Sequence, residues 1–497
     1  MPATSSSFGT KLSYSEGAIS FSEIISAMTF ALDLTEGAVE GHALRSCLLG
    51  MRVADAMGLS PEERAHLYYA LQLKDVGCSS NATRMTQIIG GDDRAMKASV
   101  KLEDWRKSAV SPRGLRVLWK NILPGKSFAR RVVRFVDIAL HASGNRKEMI
   151  QLRCDRGAQI VRKLEMDEVV AEAVRRLDEH WDGRGYPDGL KGEEIPLLSR
   201  ICSVVQNLDV FAMEDSVDAA LDVLRKRTGI WFDPVVVAVV EHLHAATDFW
   251  KDCRKGDSVE STRAAVLKLD PGTQTELTAE TVDRICEAFA SVVDAKSPFT
   301  FRHSIGVADV AAELAWELDL PAERIQLVRR AALLHDIGKL GVPNPILDKA
   351  GKLTPEEWDV VARHPRMTKS ILERIPAFRE LATFAAEHHE KLDGSGYPEG
   401  LRAEQMSIES RVLAIADMFA AMAENRPYRS GLEPARILEI LAKDVPQKLD
   451  ARCFAALGAV VERWNWLTPA EPTTEIGKFS RSHPKRFAIE DELAQLI

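Results

Sequence analysis

The sequence lacks paired cysteines and long apolar runs. Its seven cysteines are scattered without a CxxC pair, which fits reduced thiols better than a disulfide framework. No segment approaches the roughly 18 consecutive apolar residues that a membrane-spanning helix needs. The polar start MPATSSSFGTKLSYSEG does not have the pattern of a signal peptide. We therefore expect a cytoplasmic protein without a membrane partner.

An excess of positive charge and strand-like alternation are absent as well. The net charge of −8 gives no reason to expect a nucleic acid polymer as the partner. Apolar residues instead recur at steps of three and four, as at Val282, Ile285 and Phe289, which is typical of helices. The string TPEE from Thr354 predicts a helix start with a capping box. We predict an all-α fold, and 497 residues suffice for two or three domains.

An internal repeat indicates two copies of one domain. DGRGYPDGL in the first half matches DGSGYPEGL in the second, and YYALQLKDVG lies over RRAALLHDIG. We predict a first domain over residues 1–255, a second over 276–465 and a tail over 466–497, with the polar string DCRKGDSVEST near the junction. The first copy contains a basic insertion at about residues 80–150, which includes RRVVR.

Residues that can bind metals gather in the second copy. A single helical histidine is more often a core or surface residue, but a group of seven metal-capable residues favours a site. Adjacent His388 and His389 would point about 100° apart on a helix, so one ion would rarely bind both. Two ions about 3.5–4 Å apart could, with Asp336 bridging them. Nitrogen and oxygen donors without thiolate suit iron, manganese or zinc. The group comprises His303, His335, Asp336, His364, His388, His389 and Asp417.

These strings resemble the HD-GYP family, a branch of the HD metal-dependent phosphohydrolases. The resemblance covers about residues 278–460 and rests on FRHS, LLHDIGKLGVP, ARHP, EHHEKLDGSGYPEGL, RVLAIADMF and ENRPYR, in that order. It implies two tandem HD-type helical bundle domains and hydrolysis of cyclic dinucleotides. Family members with three metals carry a glutamate four residues before the first histidine. Phe299 occupies that position here, so we expect two divalent ions, iron or manganese.

The resemblance also implies roles for individual residues. Asp336 and Lys339 are the predicted catalytic residues, and the lysine ammonium would stabilise charge on the phosphate. The predicted substrate-binding residues are Lys339, Tyr397, Arg426 and Arg429, and the predicted metal ligands are His303, His335, Asp336, His364, His388, His389 and Asp417. One position departs from the family pattern, because many members have aspartate where this chain has Ala420. That change concerns the surroundings of the ligands rather than the ligands themselves.

The first copy has lost most of these residues. His42 remains, but other residues occupy the positions of the remaining ligands and of the lysine. A protonated lysine is a poor ligand and places positive charge where cations would bind. We expect this copy to bind no metal and to be a regulatory domain, a dimerisation platform or a structural partner. The replacements are Lys74 for His335, Cys78 for Lys339, Cys154 for His364, Leu177 and Asp178 for the histidine pair, and Gln206 for Asp417.

The sequence therefore predicts a phosphodiesterase that hydrolyses a cyclic dinucleotide second messenger, with cyclic di-GMP as the expected substrate. Its active site is expected in the second copy. Three alternatives remain at this point: a phosphodiesterase specific for cyclic GMP-AMP, a non-catalytic signalling adaptor that binds the nucleotide or a protein, and a mononucleotide hydrolase. We also expect a homodimer, or a signalling protein that binds the first copy or the GYP loops (the loops around residues 185–187 and 396–398).

Overall fold

The chain is all-α, as predicted. The computed structural model describes residues 20–103, 112–272, 277–297, 302–424 and 430–464. Within these ranges the extended pairings are isolated bridges, such as the one between Asp393 and Arg402. No helix in the described part of the chain is long and apolar enough to cross a membrane.

The described α-helices are numbered in chain order. They are α1 (Phe21–Glu36), α2 (His42–Met57), α3 (Pro61–Leu73), α4 (Ala82–Ile89), α5 (Asp93–Lys101), α6 (Pro112–Asn121), α7 (Phe128–Lys163), α8 (Glu168–Arg175), α9 (Leu197–Glu214), α10 (Val217–Arg227), α11 (Pro234–Ala246), α12 (Val259–Leu267), α13 (Ala279–Asp294), α14 (His303–Glu317), α15 (Ala322–Leu334), α16 (Asn344–Leu347), α17 (Pro355–Val361), α18 (His364–Leu372), α19 (Arg379–Ala386), α20 (Ile408–Ala423), α21 (Pro434–Leu441) and α22 (Ala451–Arg463). Short 3₁₀ helices cover Gly192–Glu194, Ile337–Gly341, Pro376–Phe378, Ala403–Gln405 and Ala442–Asp444.

The predicted helix start at Thr354 is confirmed. The Thr354 hydroxyl accepts a hydrogen bond from the Glu357 N–H at 3.3 Å, and the Glu357 carboxylate accepts one from the Thr354 N–H at 2.7 Å. This reciprocal capping box satisfies two backbone donors that the helix would otherwise leave without partners.

The chain forms two compact units. The first comprises Met1–Phe301 and Asp336–Glu380, and the second comprises Arg302–His335 and Leu381–Ile497. In the first unit, α2 packs against α3 and α9, and α7 packs against α8. In the second, α14 packs against α15, α20 and α22. The domain boundaries at 255, 276 and 465 stay predictions, and the tail over 466–497 lies outside the described residues.

Within the first unit, the insertion of the first copy contacts the stretch of chain that follows Asp336. The Asn344 N–H donates to the buried Asp93 carboxylate at 2.9 Å. The Arg94 guanidinium donates to the Gly341 carbonyl. Lys296, which follows α13 and lies outside the insertion, donates to the Leu340 carbonyl at 3.0 Å. Helix α5 therefore fixes the main chain immediately after Lys339.

A close approach fixes the same turn from its other side. A Cβ atom added to Gly338 would lie 2.1 Å from the His364 carbonyl oxygen, which is far inside van der Waals contact. The Gly338 N–H also donates to the Thr368 hydroxyl at 3.0 Å. Glycine is therefore required here so that the turn carrying Lys339 can pack directly on α18.

We expect Asp93→Ala to lower the free energy of unfolding by roughly 3 kcal/mol. The variant would leave the Asn344 N–H without its acceptor and would remove a carboxylate that lies 4.0 Å from the Lys97 ammonium. Urea unfolding followed by circular dichroism measures the change. Asp222→Ala is the control, because Asp222 pairs with Lys226 at the surface, and its midpoint should barely move. Equal midpoints for both variants would contradict the role of Asp93.

Candidate metal centre

In the second unit, three imidazoles surround the carboxylate of Asp417. His303 Nε2 and His335 Nε2 lie 3.2 Å and 3.7 Å from Asp417 Oδ1, and His389 Nδ1 lies 3.9 Å from Asp417 Oδ2. The His388 ring lies 4.7 Å from the His335 ring between centroids. The ligand atoms of His303, His335 and Asp417 all lie within 4.8 Å of one another. This buried set of nitrogen and oxygen donors fits iron, manganese or zinc.

The other ring nitrogen of each buried histidine in this unit is fixed by an acceptor. His335 Nδ1 lies 2.6 Å from the Ala332 carbonyl, and His388 Nδ1 lies 2.6 Å from the Ala385 carbonyl. His303 Nδ1 lies 2.7 Å from the carboxylate of Glu424. Because a carbonyl can only accept, Nδ1 of His335 and of His388 carries the proton, and Nε2 can offer its lone pair to a metal.

Burial and charge perturb the protonation of this cluster. Burial would lower the pKa of His303, but hydrogen bonds to Asp417 and Glu424 outweigh it and raise that pKa from 6.5 to about 10. Burial would raise the pKa of Asp417, but the same histidine and His335 hold it well below its usual value. Negative charge is therefore concentrated at this cluster, and a proton on His303 compensates for part of it in the metal-free chain.

In the first unit, Asp336 lies between a histidine and the predicted phosphate-binding lysine. Its Oδ1 lies 3.3 Å from His364 Nε2, and its Oδ2 accepts from the Lys339 ammonium at 2.5 Å. His364 Nδ1 lies 2.7 Å from the Val361 carbonyl, so this imidazole also presents Nε2. Asp336 and His364 are buried, whereas the Lys339 side chain keeps about a quarter of its surface exposed.

The GYP loop of the second unit is fixed by a carboxylate that the sequence analysis did not single out. Glu390 accepts hydrogen bonds from the N–H groups of Glu399, Gly400 and Leu401 at 2.6–3.1 Å. The Tyr397 ring stacks on the His389 ring at 4.7 Å between centroids and remains half-buried. Tyr397 therefore lies beside the donor cluster and remains partly accessible.

The first copy preserves this loop without the metal-binding groups. Glu179 accepts from the N–H groups of Asp188, Gly189 and Leu190, just as Glu390 does in the second copy. His42 opens its helix as His303 does, but its Nδ1 pairs with Asp209 at 2.7 Å. The loop and the first histidine are thus retained although the ligand positions have changed.

Side-chain cations occupy the degenerate site. The Lys74 ammonium pairs with Asp75, and the Arg153 guanidinium pairs with Asp178. Lys101, from the basic insertion, lies 2.7 Å from Glu36 and 3.7 Å from Asp75. Glu36, Asp75 and Cys78 are close enough together to suggest a metal site, but the Lys101 ammonium already neutralises their carboxylates.

Protonation in the degenerate site shows the effect of these cations. Burial and the neighbouring Lys74 lower the pKa of His42 from 6.5 to about 4, opposite to the shift of His303. Burial would raise the pKa of Glu36, but Lys101 and Lys97 outweigh it and lower that pKa from 4.5 to about 2. The first copy is thus a buried ion-pair network, and its predicted inability to bind metal stays a prediction.

Arg426, Arg429 and Phe299 lie outside the described residues. Glu424 and Lys101 were missed by the sequence analysis. Ala420 was the signal that could have identified Glu424. A family carboxylate is absent at position 420, so another carboxylate nearby could take its place.

Comparison with known proteins identifies the family. An HD domain model matches residues 142–236 and 287–453, one segment in each copy. The 3′3′-cGAMP-specific phosphodiesterase 3 of Vibrio cholerae is 40% identical over 449 residues, which cover 90% of this chain and 95% of the relative. The chain belongs to the HD-GYP family. It is a tandem member of this metal-dependent family, and its first copy is degenerate.

A further relative and a solved structure also match. A cyclic di-GMP phosphodiesterase of Pseudomonas aeruginosa is 35% identical over 202 residues, which cover 40% of this chain and 47% of the relative. A crystal structure of a cyclic GMP-AMP specific phosphodiesterase of V. cholerae matches with a TM-score of 0.62 and 36% identity, over 92% of this chain and 100% of that one. The match to this structure extends over both copies.

We expect Lys101→Met to lower the free energy of unfolding by about 3–5 kcal/mol, because Glu36 and Asp75 would remain buried without this cation. The pKa of Glu36 is lowered in the folded chain, so the stabilisation by the ion pair is full above pH 4.5 and is lost as the pH falls towards 2. The difference between the variant and the unmodified chain should therefore shrink in acid.

Urea midpoints measured at pH 7 and at pH 3.5 check this expectation. Lys226→Met is the matched control, because Lys226 forms an exposed pair with Asp222, and it should have little effect at either pH. A loss of stability for Lys101→Met that is the same at both pH values would contradict the assignment to Glu36.

Proposed function

We propose that this chain hydrolyses a cyclic dinucleotide at a metal centre in its second copy. The observation that carries the proposal is the cluster of histidines around Asp417, in a chain that matches a cyclic-dinucleotide phosphodiesterase along both copies. That relative is specific for 3′3′-cGAMP. This specificity favours 3′3′-cGAMP as the preferred substrate over the cyclic di-GMP expected from the sequence.

The proposed metal centre is dinuclear. We infer two divalent ions, iron or manganese, held by the histidine and aspartate ligands that the sequence predicts. When bound, such ions lower the pKa of a coordinated water and neutralise phosphate charge.

The residues of the chain supply the rest of the chemistry. The Lys339 side chain is partly exposed, and its ammonium would stabilise charge that develops on a phosphate oxygen. Asp336 keeps the ammonium in place through the hydrogen bond at 2.5 Å. Tyr397 offers a ring face or edge for contact with the nucleotide, while Arg426 and Arg429 would donate paired hydrogen bonds to phosphate.

We further propose that the first copy is a metal-free scaffold. The contacts of α5 with Gly341 and Asn344 support this role over that of an independent sensor, because they fix the main chain close to Lys339. A homodimer or a signalling partner that binds the first copy or the GYP loops remains a prediction.

Turnover of purified full-length chain, loaded anaerobically with iron or manganese, tests the activity. We expect hydrolysis of 3′3′-cGAMP with a kcat/KM above that for cyclic di-GMP, and little turnover of mononucleotides. Chromatographic identification of the products measures each reaction. Tight binding of the dinucleotides without any turnover would instead favour a signalling adaptor, and preferred hydrolysis of cyclic di-GMP would overturn the proposed substrate.

Two substitutions separate metal binding from charge stabilisation. The unmodified chain should contain about two ions. Asp336→Ala should abolish turnover and lower the metal content, because a predicted bridging carboxylate is lost. Lys339→Ala should lower kcat by roughly 10²-fold or more while the metal content stays near two, since the ammonium acts on the phosphate. Metal analysis beside steady-state kinetics checks both, and equal loss of metal in the two variants would refute the division of roles.

A further inference from the structure

The histidines of the candidate centre differ in how their second ring nitrogen is fixed. In His335, His364 and His388, Nδ1 lies 2.6–2.7 Å from the carbonyl oxygen three residues earlier in the chain. That acceptor belongs to the preceding stretch of the main chain, so these three imidazoles are oriented by their local backbone. Each then presents Nε2 without help from another side chain.

His303 is the first residue of α14, and Arg302, immediately before it, has a left-handed backbone with φ 67°. A side chain from the end of another helix orients its ring. Glu424, at the end of α20, does so with its Oε1 at 2.7 Å from His303 Nδ1, and both residues are buried.

In the first copy, the carboxylate that orients the corresponding histidine comes from a different position in the sequence. His42 is also the first residue of its helix, and Asp209 of α9 lies 2.7 Å from its Nδ1. In the alignment of the two copies, Asp209 corresponds to Ala420, and Met213 corresponds to Glu424 (each 211 residues apart). The carboxylate has moved by four residues, which is about one helical turn along the same face.

We propose that Glu424 is a positioning residue that replaces the aspartate absent at position 420 and directs His303 Nε2 towards a bound metal. This inference rests on the proposed metal centre. A carboxylate that accepts from Nδ1–H fixes the orientation of the ring and makes Nε2 a better donor, and loss of such a partner typically weakens metal binding by 10–100-fold. Glu424 thus acts on the metal through His303.

The variants Glu424→Ala, Glu424→Gln and the double variant Ala420→Asp/Glu424→Ala test this role in the full-length chain. The amide oxygen of glutamine can still accept from Nδ1–H, and the double variant returns the carboxylate to the position that the first copy uses. The exposed Glu439, which pairs with Arg436 on α21, provides the control Glu439→Gln.

Titration of the metal-free proteins with Mn²⁺ alone gives the decisive readout, and kcat and KM follow for the loaded proteins. Glu424→Ala should weaken binding at one Mn²⁺ site by 10–100-fold and lower kcat more than it changes KM. Glu424→Gln should lose less, and the double variant should recover most of the affinity. The control should match the unmodified chain.

Two results would overturn the inference. One is Mn²⁺ binding by Glu424→Ala that equals that of the unmodified chain. The other is a weakened affinity that neither the glutamine nor the relocated aspartate improves, since this would indicate a general loss of structure. If Glu424→Ala does not fold, the affinities of Glu424→Gln and the double variant decide. Because Mn²⁺ binding is measured without nucleotide, a failure of the proposed hydrolysis would be seen separately, as Mn²⁺ binding without turnover.

Discussion

Buried carboxylates need a nearby positive charge, and both copies of this fold are built around that constraint. An ionised carboxylate removed from water is strongly destabilising unless it is paired and hydrogen-bonded. In the second copy, Asp417 is buried among imidazoles, and Asp336 is buried against His364 and Lys339. In the first copy, Asp75 and Glu36 are buried among ammonium groups. The two copies therefore differ in the side chains around similar buried carboxylates, which are mainly imidazoles in the second copy and ammonium groups in the first.

This constraint explains why cationic side chains lie beside the carboxylates that the first copy retains. Exchange of histidine for Lys74 supplies one fixed positive charge, and the insertion supplies another through Lys101. A lysine needs no metal from solution, so the network is complete as soon as the chain folds. The same insertion contacts Asn344 through Asp93 and Gly341 through Arg94. Helix α5 thus carries residues of the ion-pair network and of these contacts, which is the basis of the proposed scaffold role.

The sequence allowed a correct prediction of the all-α fold, the repeat and the family. Helical spacing and the GYP strings depend on local patterns, and these are directly visible in the chain. The capping box at Thr354 was predictable for the same reason. Glu424 and Lys101 were not, because each contacts residues more than sixty positions away, namely His303 and Glu36. Such contacts depend on the packing of α20 against α14 and of α5 against α1, which no local pattern specifies.

The histidines of this fold differ in the kind of partner that orients them. His335, His364 and His388 use a backbone carbonyl, which does not change on mutation. An imidazole oriented by a side chain depends instead on a group that mutation can remove or relocate. His303 and His42 both have carboxylate partners, from residues one helical turn apart. The partner of the first histidine is thus the part of this centre that evolution can relocate, while the other imidazoles remain fixed by the backbone.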